Sequence, residues 1–319
     1  MEKGLVLWGV RSIFYVEGSD GKEYKCVIKS KRLDSGFDLK GRNEASPIVA
    51  GDYVEFEKTS DNEGVILQRL KRKNEFTRLK AGGRVVQTLV ANVDWLIVVD
   101  SVVSPPLRPF FIDRCLFTAD LMNIPAMVVF NKFDLLEGDD PDEFKRIRQT
   151  YERLGYPTLV TSTVTGQGIE ELRAVLKDKT CSFNGRSGVG KSTLVRTIAP
   201  ELENKKIQVG EVSKKFNRGT HTTTRACAYQ LSFGGRIIDT PGVREFSVFL
   251  DKPEDLALGF RDFRPYCNCR FSDCQHIQEP DCGIIKAVED GKIEDFRYES
   301  YLRMRETVLK LADAKMGLK

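Results

Sequence analysis

Three groups of residues in this sequence have the types and spacing to do chemistry. The first is Gly185-Arg186-Ser187-Gly188-Val189-Gly190-Lys191-Ser192, which fits G-x-x-x-x-G-K-[ST] and runs on through Thr193 into a helical stretch. Its glycines let the main chain wrap closely, so that successive N–H groups point at phosphate oxygens near a helix N-terminus. In such a loop Lys191 neutralises the β- and γ-phosphates, as a catalytic cation, and Ser192 binds Mg²⁺. The second is Asn131-Lys132-Phe133-Asp134. A carboxylate accepts from two adjacent N–H groups of guanine, a donor pair that adenine lacks, so Asp134 argues for GTP over ATP. Asn131 would brace either the base or the phosphate loop, and the Lys132 stem would cover one face of the ring. The third is Cys269-x₄-Cys274-x-His276-x₅-Cys282. Three thiolates and an imidazole close a tetrahedral structural Zn²⁺ site with no open position. Cys267 could compete for the ligand role, and Cys269 is the better choice.

Further segments complete a nucleotide site. Ser162-Thr163 stands where a Ser-Ala pair usually offers backbone N–H groups to the guanine carbonyl, and Thr163 keeps that backbone donor. Asp239-Thr240-Pro241-Gly242 ends an apolar run. There Asp239 would hold Mg²⁺ through water and the Gly242 N–H would sense the γ-phosphate. Upstream, Gly219-Thr220-His221-Thr222-Thr223-Thr224 has the threonines that a first switch uses to reach Mg²⁺, with Thr223 or Thr224 as the ligand. Val243 occupies the place where many GTPases keep a glutamine that orients the attacking water. Either His221 takes that part or an external partner completes the site, and unaided turnover should be slow.

The order of these segments is unusual. The base-reading motif ordinarily follows the phosphate loop, whereas here Asn131–Asp134 precedes it and Asp239–Gly242 comes last. The set survives as one cyclic rotation, which predicts a GTPase domain with relocated termini. The chain then passes from the second switch straight towards the cysteine cluster.

Elements that could position these residues are legible in the pattern. Up to about residue 70, β-rich runs at 4–7, 12–16, 24–28, 53–56 and 65–67 are punctuated by Gly18-Ser19-Asp20-Gly21 and Gly51-Asp52. They fit a small barrel of the oligonucleotide-binding type, or another small β domain. From about 80 to 250, apolar runs at 95–99, 126–130, 158–161, 181–184 and 236–239 alternate with helical spacing over 108–122, 141–154 and 168–176. That is the alternation of a doubly wound parallel sheet, in which ligands bind beyond the carboxyl ends of the strands. After about 255 a smaller unit holds the cysteine cluster and a polar helix near 293–314, striped by Tyr298, Leu302, Val308 and Leu309. The expected division is 1–72, 73–255 and 256–319.

Composition sets the outer bounds. The 319 residues, 41% hydrophobic and 30% charged, are ordinary for a globular chain of two or three domains. No apolar run approaches the roughly 20 residues of a membrane span. The N-terminus lacks a basic region followed by an apolar one, so a cytosolic protein without membrane association is expected. Nothing calls for an obligate dimer, and a monomer is expected. A formal charge of +4 does not argue for nucleic acid by itself. The basic runs at 69–80 and 205–225 are either solvated surface or footprints for a polyanion.

Taken together, the β-rich start, Ala91-Asn92-Val93-Asp94, the rotated motifs, the Gly-x-His-Thr-Thr-Thr switch, Asp-Thr-Pro-Gly-Val-Arg-Glu-Phe and the Cys/His knuckle resemble the ribosome small-subunit-dependent GTPase A (RsgA) family. The likeness covers nearly the whole chain. It implies an N-terminal oligonucleotide-binding (OB) barrel, a circularly permuted P-loop GTPase α/β domain and a mostly helical zinc-binding C-terminal domain. It also implies GTP hydrolysis stimulated by the small ribosomal subunit, with its rRNA as partner, during late maturation of that subunit. A GTP-dependent switch acting on another structured RNA is the alternative.

Overall fold

The computed structural model describes residues 1–10, 12–29, 47–79, 86–136, 141–202, 226–239, 250 and 253–316. Five strands, β1 (Glu2–Val10), β2 (Ile13–Glu17), β3 (Glu23–Ile28), β4 (Tyr53–Lys58) and β5 (Glu63–Arg69), close into a barrel in the order β1-β2-β3-β5-β4. All pairs are antiparallel except β3 with β5. This is the closure of an OB-type barrel, and alternation fills it. Val6, Phe14, Val16, Tyr24, Cys26, Val54, Phe56 and Ile66 point inward, and the intervening residues face out.

A two-stranded ribbon, β6 (Glu75–Leu79) and β7 (Val86–Ala91), follows the barrel. Its charged sequence hides this structure, because the basic residues of 69–80 mask the alternation. Arg72 of that run is not available to a polyanion. It is nearly buried and binds Asp52 at 2.7 and 2.9 Å and Glu75 at 2.6 Å. Lys73 pairs with Asp94 at 2.9 Å. The run at 205–225 lies outside the described residues.

The central domain is a six-stranded sheet in the order β10-β9-β8-β11-β13-β12. Its strands are β8 (Trp95–Ser101), β9 (Ala126–Asn131), β10 (Thr158–Thr161), β11 (Thr180–Gly185), β12 (Cys227–Gln230) and β13 (Arg236–Asp239). All run parallel except β12, the antiparallel edge. Every residue of β9 is buried, as a strand covered on both faces requires. Helices α1 (Pro109–Leu121) and α2 (Pro141–Arg153) contribute to the core on one face, and α3 (Ile169–Leu176) and α4 (Lys191–Ile198) to the core on the other.

The chain winds outward from β8 through β9 to β10, then returns to the other side of β8 at β11. The crevice between β8 and β11 is therefore where the winding reverses, the place where open α/β sheets bind ligands. α2 is amphipathic, burying Phe144, Ile147 and Tyr151 and exposing its charges. α1 is buried on most sides, from Phe111 to Ala119, because the C-terminal unit covers the side away from the sheet.

That unit packs Leu256, Phe260, Phe263, Ile284, Tyr301, Met304 and Val308 around Phe117 of α1. Gly259 lies so close that an added Cβ would stand 2.0 Å from the Phe117 ring. A C-terminal helix (Asp295–Met316) spans the unit.

Candidate nucleotide and metal sites

The carboxyl ends of β8, β9, β10 and β11 line up. Asn131 is level with Ser101 on one side and with Thr161 on the other, and Gly185 is level with Val99. The base-reading segment and the phosphate loop are thereby brought together, although 58 residues separate the two atoms that join them, the Asn131 amide and the Val189 carbonyl. Asn131 Nδ2 donates to that carbonyl at 2.9 Å, and Thr161 Oγ1 donates to Asn131 Oδ1 at 3.0 Å. Of the two roles open to Asn131, the described geometry has it bracing the phosphate loop. The loop turns through Gly188 and Gly190 with φ of +84° and +87°. A Cβ on Gly190 would lie 2.5 Å from Asn131 Nδ2, so both backbone conformation and space call for glycine.

Lys132 adopts a left-handed conformation and donates through Nζ to the Ser104 carbonyl at 2.6 Å. Ser162 Oγ donates to Asp134 Oδ1 at 2.5 Å and accepts from the N–H groups of Val164 and Thr165 at 3.2 and 3.1 Å. The hydroxyl thus holds the carboxylate of Asp134 and is itself fixed by a turn. Thr163 is half-buried in that turn. Lys191 opens α4, and Ser192 and Thr193 are exposed in its first turn beside the loop.

Arg186 points elsewhere. Its guanidinium lies 2.7 Å from Asp100 Oδ1 and donates to the Pro106 carbonyl at 2.6 Å. Burial pushes the Asp100 carboxyl above the usual carboxylate range, and the Arg186 guanidinium pulls the other way. Asp100 was missed in the sequence. Its signal was there, an acid closing the apolar run 95–99 at the carboxyl end of a strand.

On the opposite side of the site, Asp239 closes β13. Its side chain, together with His221, Thr223, Thr224, Gly242 and Val243, lies outside the described residues.

The cysteine cluster is a separate centre. The ligand atoms of Cys269, Cys274, His276 and Cys282 all lie within 4.8 Å of one another. His276 Nδ1 stands 3.4 Å from the sulfurs of Cys269 and Cys274 and 3.3 Å from that of Cys282, and the Cys269 and Cys282 sulfurs are 3.7 Å apart. A tetrahedral zinc with bonds of about 2.3 Å to sulfur and about 2.0 Å to nitrogen has edges of about 3.5–3.8 Å, so the four residues fit the ion. Burial lowers the His276 pKa, favouring the neutral imidazole that a metal needs, and pushes the Cys274 thiol up to about 12. Thiolates so close are stable only around a cation. Cys267 is set apart, its sulfur donating to the Phe263 carbonyl at 3.3 Å. Tyr298 and Tyr301 of the C-terminal helix donate to the carbonyls of His276 and Gln275 at 2.7 and 2.8 Å, tying the knuckle to the helix.

A glycine-rich loop between a buried strand and a helix, joined through Asn131 to the segment in which Ser162 holds Asp134, defines a phosphate-loop nucleotide-binding domain in rotated order. Residues 69–249 match the family described as RsgA GTPase. The chain belongs to the RsgA GTPase family. It is 38% identical to the small ribosomal subunit biogenesis GTPase RsgA of Thermotoga neapolitana, over 96% of this chain and 97% of that one. It is 35% identical to the protein of the same name from Bacteroides fragilis, over 95% and 96%. Among solved structures it is similar to YjeQ from Thermotoga maritima, with a TM-score of 0.72 and 34% identity over 97% of this chain and 98% of that one. It is also similar to YloQ, described as a circularly permuted GTPase, with a TM-score of 0.71 and 25% identity over 97% and 96%.

Proposed function

We infer that this protein hydrolyses GTP to GDP and phosphate on the small ribosomal subunit during the late maturation of that particle. The relatives' names support the setting. The observation that carries the chemistry is the bracing of Asp134 by Ser162 beside a phosphate loop that Asn131 holds. In this reading the main-chain N–H groups of Gly185 to Thr193 receive the phosphates, and Lys191 offsets the charge that develops on the β–γ bridge. Asp134 takes the two guanine N–H groups, the Lys132 stem lies on the ring, and the Thr163 backbone meets the guanine carbonyl. Ser192 and one of Thr223 and Thr224 would supply hard oxygen ligands that suit Mg²⁺, Asp239 would hold it through water, and the ion would screen the phosphate charge. The Gly242 N–H senses the γ-phosphate. His221 orients the attacking water.

Zn²⁺ is the structural ion of Cys269, Cys274, His276 and Cys282. The chain divides into an RNA-binding barrel at 1–72, the GTPase domain at 73–255 and the zinc domain at 256–319. It works in the cytoplasm as a monomer, with the small subunit's rRNA as partner. The test is GTP hydrolysis with and without small ribosomal subunits. Slow turnover that rises on their addition, and that drops in His221→Ala under both conditions, is expected. No response to small subunits, beside strong stimulation by another RNA, points to a GTP switch with a different partner.

A further inference from the structure

A cleft of about 460 Å³ opens where the phosphate loop, the start of α1 and the C-terminal helix converge. Arg108, Arg114, Arg186 and Arg303 line it together with the ring of Phe110, and Glu299 is the acid on its wall. The Phe110 ring lies 5.6 Å from the Arg114 guanidinium and 5.7 Å from that of Arg303. Arg303 meets Glu299 only at 3.6 Å, and both are exposed, so water competes for that pair. Asp100 neutralises Arg186. That leaves Arg108, Arg114 and Arg303 against Glu299. Arg114 Nε is buried without a hydrogen-bond partner. Arg114 is half-buried, so it faces the cleft with the remainder of its guanidinium.

Guanidiniums spread over α1 with its N-cap and the C-terminal helix match a chain of phosphates better than a single one. The guanidinium planes also offer faces to unstacked bases. We propose that this cleft binds single-stranded RNA, with phosphodiester oxygens received by Arg108, Arg114 and Arg303 and a base laid against a guanidinium plane. The proposal rests on the ribonucleoprotein reading above and names a place where RNA meets the nucleotide site. Arg186 belongs to the phosphate loop and borders the cleft, so an RNA phosphate entering there competes with Asp100 for its guanidinium.

The experiment uses the full chain and a fluorescein-labelled single-stranded RNA, with binding read by anisotropy across a salt series. The cleft variant is Arg108→Gln/Arg303→Gln, both exposed residues outside the nucleotide machinery. Lys145→Gln/Lys177→Gln removes the same charge elsewhere. Two lost phosphate contacts should weaken binding about tenfold at low salt and flatten the log–log salt slope by about 1.4. The control pair should do neither, and the cleft variant should keep basal GTP hydrolysis and its unfolding midpoint. A cleft variant that behaves like the control overturns the proposal. So does displacement of the RNA by inorganic phosphate far below the ionic strength at which chloride displaces it, since the cleft would then be a small-anion site. Stimulation of the unmutated chain by small subunits is measured alongside. Its absence with the RNA effect intact strikes the assembly reading and leaves the cleft standing, and the reverse strikes the cleft alone.

Discussion

Along β12 and β13 the barrel meets the GTPase sheet through rings, with main-chain pairing to the neighbouring ribbon strand β7, whereas along α1 the zinc unit sets buried charge beside its apolar contact with Phe117. At the first seam Trp8 stacks on Tyr15 with centroids 3.9 Å apart and packs with Tyr229 and Leu231 into the sheet's core. Ala50 pairs with Val90, and the Ala91 N–H donates to the Ala50 carbonyl at 3.1 Å. Gly51 has a φ of +88°, and a Cβ there would stand 2.1 Å from the Ala91 carbonyl, so the two backbones meet without a side chain between them. Arg236 and Glu17 form a part-buried ion pair across it. At the second seam Arg297 of the C-terminal helix reaches Asp113 of α1 at 2.5 Å and clasps Asp262 at 2.9 and 2.8 Å. Tyr151 donates to the same Asp113 at 2.8 Å. Arg261 clasps Asp120 at 2.8 and 2.7 Å and lies 3.9 Å above the Tyr156 ring. Burial works against charge on Arg297, but the carboxylates of Asp113 and Asp262 outweigh it and hold its pKa above the ordinary value.

The difference bears on how each unit can be held. Apolar burial is non-directional and tolerates small changes of angle. A fully desolvated guanidinium leaves few alternatives, because any other docking strands a charge. The zinc unit is therefore fixed to α1 in one orientation, next to the cleft and the phosphate loop.

Removal of the metal should break the comparison most severely. Structural zinc contributes on the order of 10 kcal/mol to small domains of this kind. Chelation should unfold the C-terminal unit and free α1, while the barrel seam persists. Thermal melts followed by far-ultraviolet circular dichroism, with zinc content measured on the same samples, check this. An unchanged melt after stoichiometric loss of zinc contradicts it. Next comes Asp113→Ala, which leaves Arg297 buried with Asp262 alone and should cost about 3–5 kcal/mol in urea unfolding. If buried charge acts as argued, Asp113→Leu/Arg297→Met should recover much of that loss, since the stranded charge is gone.

Much of this arrangement was legible in the sequence, and the illegible parts have physical causes. The five barrel strands show as alternation, and the parallel strands show as short apolar runs, because both patterns reflect local burial. The zinc ligands show as a donor set with closed spacing. β6 and β7 did not show, since β6 carries Glu75 and Arg78 within five residues and follows a charged run that includes Arg72, whose partner Asp52 is distant in sequence. Asp113 and Arg297 are 184 residues apart, and in sequence each reads as an exposed charge on a helix. Ion pairs closed by tertiary packing leave no periodic trace. The motifs at 219–224 and 240–243 fall outside the described residues, so their roles stand on the sequence and on the family.

The apolar seam supplies the two smaller effects. Trp8→Ala removes a ring that is 5% exposed, and should cost about 3 kcal/mol in urea unfolding, with the barrel separating from the sheet first. Glu17→Gln should cost about 1 kcal/mol or less. Its partner Arg236 keeps a quarter of its side chain in solvent, so water replaces much of what the carboxylate gave. That pair sharpens the contrast with Asp113 because both are single acids facing an arginine across a domain seam. They differ in burial and in the number of groups that depend on the acid. Asp113 is fully buried and serves Arg297 and Tyr151 together, whereas Glu17 sits at the rim beside rings that hold the seam without it. Urea unfolding of both variants on the same chain measures the ratio directly. A loss for Glu17→Gln as large as that for Asp113→Ala would mean that charge orients both seams, and the distinction drawn between them would fall.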